Sequence, residues 1–210
     1  MSVITEKVRG RGPDSDIGRG DDGWGDSGEW RTLPLPTAQL GLWLFLGALA
    51  MFFAAFISAY LVRLPSPDWR SFTKPPVLWF NTAVLILSSI FLHASQIQIR
   101  KDNHKTFLIW LLLGTFFGLV FLGGQWIAWL TLQRQGVYLP TNPSSSFFYV
   151  LTGAHGVHLL GGLILLTLVC LRALRGKSLH FVASTLGLTT TYWHFLTVVW
   201  LALFGVLLIG

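Results

Sequence analysis

Charged residues avoid five long stretches of this chain. Leu40–Val62, Val77–Ile99, Phe107–Leu132, Phe147–Leu171 and Phe181–Gly210 contain no Lys, Arg, Asp or Glu, and each has at least 23 residues. About 20 helical residues cross the hydrocarbon core of a bilayer. The pattern therefore predicts an all-α polytopic membrane protein, with five transmembrane helices in a bundle over residues 38–210. Between the apolar runs lie short polar segments with turn and helix-end residues. Pro65, Pro67, Pro75 and Pro76 bracket the first connection. Arg100–Lys105, Arg134–Ser146 and Arg172–Ser178 form the other three.

Composition agrees with this reading. Of 210 residues, 52% are hydrophobic and 11% charged, a balance foreign to soluble globular domains. Residues 1–37 differ from the rest. They are rich in Gly, Asp and Arg, offer little to bury, and read as a disordered tail. No secretory signal is visible at the amino terminus, since the first apolar run begins near Leu40. Cys170 is the single cysteine, so the chain builds no internal disulfide or cysteine-based metal site. The net charge of +6 does not point to nucleic acid, because most basic residues flank the spans.

The placement of basic residues also predicts an orientation. Eleven of the fifteen Lys and Arg residues fall in the tail and in the second and fourth connections. The positive-inside rule then places the amino terminus in the cytoplasm and, after five spans, the carboxyl terminus outside. Trp43, Tyr60, Trp79, Trp110, Trp129 and Tyr138 lie near span ends, where interface aromatics and packing aromatics look alike.

What chemistry the spans hold is limited. No Asp or Glu lies inside any of them, and none follows Asp102. Membrane pumps and ion-coupled transporters use such carboxylates as relays or ligands. Histidine remains: His93, His155, His158 and His194 all fall in spans. His155 and His158, three residues apart, share one helix face, and Gly162 follows on it. A polar and then small stripe is how one helix meets another in a bilayer. Ser184, Thr185, Thr189, Thr190, Thr191, Tyr192 and His194 offer hydroxyl and imidazole partners on the last span. Three readings compete for these histidines. In the first, His158 and His194 ligate a haem from facing helices; in the second, the imidazoles relay protons; in the third, they hydrogen-bond between helices and fix their register.

Five segments carry a family resemblance: "LWLFLGALAMFFAAF" (42–56), "FNTAVLILSS" (80–89), "FLGGQWIAW" (121–129), "TGAHGVHLLGG" (152–162) and "TYWHFLTVVWLALF" (191–204). Together they resemble subunit III of the haem–copper oxidases, the cytochrome c oxidase family, in its short five-helix bacterial form. The resemblance implies a non-catalytic subunit in the bacterial inner membrane. It would carry no cofactor or metal of its own and pack beside subunits I and II, with haem and copper held by those partners. Cytochrome c would be reached through the complex. The family's third subunit is thought to sustain proton entry into subunit I and to hold phospholipids. Transferred by position, lipid contacts fall on His158, Arg172 and Arg175, and polar helix packing on His155, His194 and Gly162.

The chain departs from the family pattern at three membrane positions. Leu49, Ala128 and Thr197 stand where the family often has carboxylates. A direct proton relay by this subunit through those acids is therefore not expected. Two other readings stay open at this point: an accessory subunit of nitric oxide reductase, and an independent membrane haem protein.

Overall fold

A computed structural model describes residues 37–69, 75–101, 103–139, 142–175 and 179–209, with only the backbone of 179–181. The expected tail lies outside the described residues apart from Thr37, which already starts a helix. Among the described residues there are five helices and no strand. They are α1 (Thr37–Arg63), α2 (Val77–Arg100), α3 (His104–Arg134), α4 (Pro143–Leu174) and α5 (Leu179–Ile209). All five are long and apolar enough to cross a membrane. Each apolar run forms a helix because hydrocarbon offers backbone N–H and C=O groups no other partners. At 1.5 Å per residue the 31 residues of α3 extend for roughly 46 Å, beyond a core about 30 Å thick, so its ends protrude or the helix tilts.

Helix ends are set by local chemistry. Asn103 caps α3 by accepting the Thr106 N–H at 3.4 Å. The start of α4 corrects the sequence reading, which left residues up to Ser146 in a connection. Asn142 accepts the Ser145 N–H at 3.0 Å, and the Ser145 hydroxyl accepts the Asn142 N–H at 3.2 Å. Pro143 follows in the first turn, where its missing N–H costs nothing. This capping box starts the helix before the apolar run begins.

The connections are short and successive helices run antiparallel. One end of the bundle gathers Arg100, Lys101, Lys105, Arg172 and Arg175 and is called the basic end below. α2 packs on α3 and α5, α4 packs on α3 and α5, and α1 lies against α4 and α5. At the opposite end Tyr60 meets both Trp69 and Phe147 edge to face. Tyr60 is 1% exposed, so it belongs to this packed cluster and not to the expected interface belt. Trp43, Trp79 and Tyr138 are exposed near helix ends.

Two tryptophans of α5 fill the centre, and both are fully buried. Trp193 enters a slot made by two glycines. A Cβ built on Gly118 of α3 would stand 2.8 Å from its Cζ2, and one on Gly162 of α4 would stand 3.2 Å from its Cε3. Gly114 of α3 makes the matching slot for Leu92 of α2, where a Cβ would meet Cγ at 2.7 Å. Small residues thus admit large side chains between helices, the packing that lipid favours.

This arrangement predicts that Gly118→Ala destabilises the protein by about 1–3 kcal/mol, the usual range for overpacking. Gly123→Ala, whose added Cβ meets nothing within 4 Å, should be neutral or slightly stabilising, since alanine favours a helix interior over glycine. Denaturant unfolding of the two variants in detergent checks the difference; equal stabilities would rule out the slot.

Candidate functional site

The polar groups of the spans form a set of links between helices. Ser88 of α2 donates to the Gly114 carbonyl of α3 at 2.7 Å. The Trp129 indole of α3 donates to the Thr152 hydroxyl of α4 at 3.1 Å. The Trp200 indole of α5 donates to the Thr82 hydroxyl of α2 at 3.0 Å. Tyr192 of α5 donates its hydroxyl to the His158 carbonyl of α4 at 2.9 Å. Ser89 of α2 bonds His194 Nδ1 of α5. Together these links tie α2, α3, α4 and α5 to one another.

Each candidate histidine has a distinct setting. His155 is fully buried, with its ring 5.1 Å from that of Trp200, 6.0 Å from Phe121 and 6.3 Å from Phe53. Neither of its ring nitrogens has a hydrogen-bond partner among the described residues. His158 places Nδ1 2.7 Å from the Ala154 carbonyl one turn back. A carbonyl only accepts, so that nitrogen carries the proton. The His158 ring lies 5.5 Å from Phe53 and 6.0 Å from Phe52 of α1. His194 stands beside His93, with ring centroids 5.7 Å apart.

The sequence raised a pairing of His158 with His194. The structure does not bring them together. His158 turns toward α1, and His194 turns toward Ser89 and His93 of α2. Depth along a helix matched; the helix faces did not. Ser89, Gly118 and the His93 pairing were missed. The G-x-x-x-G spacing of Gly114 and Gly118 was a usable signal for the glycine slots.

His158, Gly161, Leu165 and Arg172 recur at helical spacing along one side of α4. Gly161 and Leu165 line an apolar groove of about 370 Å³, with Leu42 and Phe45 of α1 and Leu188 and Tyr192 of α5. Arg172 lies in the last turn of α4 at the basic end, and Arg175 is its C-cap. Among the described residues, no three His, Cys, Asp or Glu side chains converge as metal ligands would. Nor does any span supply a carboxylate.

Five apolar helices, four of them joined internally by hydroxyls, indoles and an imidazole, define a multi-pass helical membrane protein. Comparison with known proteins gives its family. The profile described as cytochrome c oxidase subunit III matches residues 31–209, and the chain belongs to that family. It is 35% identical to cytochrome c oxidase subunit 3 of Thermostichus vulcanus over 175 residues, covering 81% of this chain and 86% of that protein. It is 31% identical to the subunit 3 of Bacillus sp. (strain PS3), covering 80% and 83%. It is also 30% identical to the probable quinol oxidase subunit 3 of Staphylococcus saprophyticus, covering 82% and 89%. As a third subunit of this family, the chain acts within a terminal oxidase complex.

The Trp200–Thr82 link yields a quantitative test. A double-mutant cycle with Trp200→Phe and Thr82→Val should return a coupling near the membrane average of about 0.6 kcal/mol. The readout is unfolding free energy in detergent. A coupling indistinguishable from zero would remove this bond from the forces joining α2 to α5.

Proposed function

We propose that this chain is the non-catalytic third subunit of a bacterial proton-pumping cytochrome c oxidase. It packs beside subunits I and II, which hold the haem and copper centres and receive electrons from cytochrome c. Its own contribution is stability of the complex, support of proton uptake by subunit I, and retention of phospholipid. It sits in the plasma membrane with the amino terminus and the basic end cytoplasmic, in line with the asymmetry of its Lys and Arg residues. One observation carries the reading. The spans hold no Asp or Glu, while several of their hydroxyl and indole groups and the His194 imidazole bond neighbouring helices. That is the equipment of a scaffold.

The lipid role rests on α4. Its stripe from His158 to Arg172 follows the apolar groove toward the basic end. An acyl chain in that groove brings a phosphate to the level of Arg172 and Arg175, where basic residues attract anionic headgroups.

A second reading concerns the electron donor. Resemblance to a probable quinol oxidase subunit 3 at 30% identity supports a quinol-oxidising complex with the same third-subunit role.

Purification of the complex from its host tests both. Subunits I and II with haem and copper, and oxidation of reduced cytochrome c, are the expected result. Quinol oxidation without cytochrome c oxidation selects the second reading. Nitric oxide reductase subunits in its place, or a stoichiometric haem on the isolated chain, would overturn both. In the assembled oxidase, Arg172→Ala should lower bound phospholipid while leaving the haem spectrum unchanged; an unaltered phosphorus content would remove the headgroup assignment.

A further inference from the structure

A second crevice lies on the other side of α1. It occupies about 450 Å³ between the start of α1, the end of α2 and the start of α5. Its polar lining comes from Gln39, Gln96, Arg100, Ser184 and Thr191, and its apolar lining from Leu42, Ile99 and Leu188. Trp43, exposed and near the end of its helix, stands at the rim. Leu42 and Leu188 are shared with the apolar groove beside α4, so these two residues separate the two cavities.

The lining selects its occupant. Arg100 is a fixed cation with no ion-pair partner among the described residues, and no carboxylate lines the crevice. The amides of Gln39 and Gln96 and the hydroxyl of Ser184 add hydrogen-bond donors. One turn deeper, exposed His93 stands against His194 and presents further polar groups on an otherwise apolar flank. Polar side chains facing outward at such depth need a polar partner. A cation and amides at the mouth, imidazoles below and leucines between them form the profile of a phospholipid: phosphate, ester carbonyls, acyl chain. α1 and α2 flank the crevice without packing on each other, which leaves room for a guest between them.

We propose that the α1–α2–α5 crevice is a phospholipid site, with the phosphate on Arg100 and the ester region at the level of His93 and His194. It is separate from the lipid contact placed on Arg172, and either assignment can fail alone.

The test uses the whole oxidase complex, washed extensively in detergent, with tightly bound lipid counted by phosphorus assay and identified by mass spectrometry. Arg100→Gln should lose about one phospholipid per complex, since it removes the cation that would pair with the phosphate. Gly187→Phe, which puts a ring into the crevice, should lose the same species. Should that variant not assemble, Arg100→Gln decides. Arg172→Ala should keep this lipid even where it loses another. An unchanged count in Arg100→Gln would overturn the proposal, as would loss of the same species in Arg172→Ala alone. A quinone in place of phospholipid in the wild-type complex, displaced by Arg100→Gln, would also overturn it.

Discussion

Hydrocarbon supplies no hydrogen bonds, and the architecture follows from that shortage. Backbone groups pair along five helices. Hydroxyls inside the spans turn back on their own helix: Thr82, Thr115, Thr152 and Thr197 each donate to the carbonyl four residues earlier. Other polar groups pair across helices, where they also fix which helix faces which. Trp200 illustrates the double duty. Its indole bonds Thr82 of α2 while its ring stacks on Phe204 and meets Phe121 edge on. Apolar contact alone would not choose this arrangement, because lipid tails are as apolar as leucine.

Much of the fold was legible because charge is so costly in a bilayer that its absence marks the spans. All five uncharged runs became helices. Their ends were read less well, since a helix stops where its cap is and not where hydrophobicity ends. Asn142 and Ser145 start α4 ahead of the apolar run, and Arg63, Arg100 and Arg134 sit inside last turns because long basic side chains reach the interface from there. Contacts between helices were less legible. His158 and His194 lie at similar depths, but depth is a property of one helix and facing is a property of two. The motifs carried the family; they did not carry the rotation that sets His158 against Phe53 and His194 against Ser89.

The three positions where the family often has acids are instructive once placed. Leu49, Ala128 and Thr197 are all buried, so no acid could be added there without a partner. Each is now harmless: Thr197 bonds the Trp193 carbonyl, and Leu49 and Ala128 pack as core residues. Yet Asn81, Gln125 and His155 remain buried without hydrogen-bond partners among the described residues. They gather around one level of the bundle. Asn81 lies against Gly124, next to Gln125, and neighbours Thr82, whose partner Trp200 touches His155. Leu49 is one turn from Phe53, which packs on the same histidine. The polar core thus holds an imidazole and two amides at a level that carries no acid.

The same shortage explains why α1 is the exceptional helix. Among the described residues, none of the hydrogen bonds between helices reaches it. It is held by rings: Phe45 on Tyr192, Phe52 and Phe53 on His158, Tyr60 on Phe147. Such contacts have shape but little advantage over lipid contacts, so α1 depends more than its neighbours on what fills the space around it. Both cavities at the basic end border α1, and Leu42 projects between them. A helix without polar ties, flanked by two openings to the bilayer, is where lipid can act as part of the packing. Among the described residues, the helix without a hydrogen bond to its neighbours is therefore also one that both cavities border.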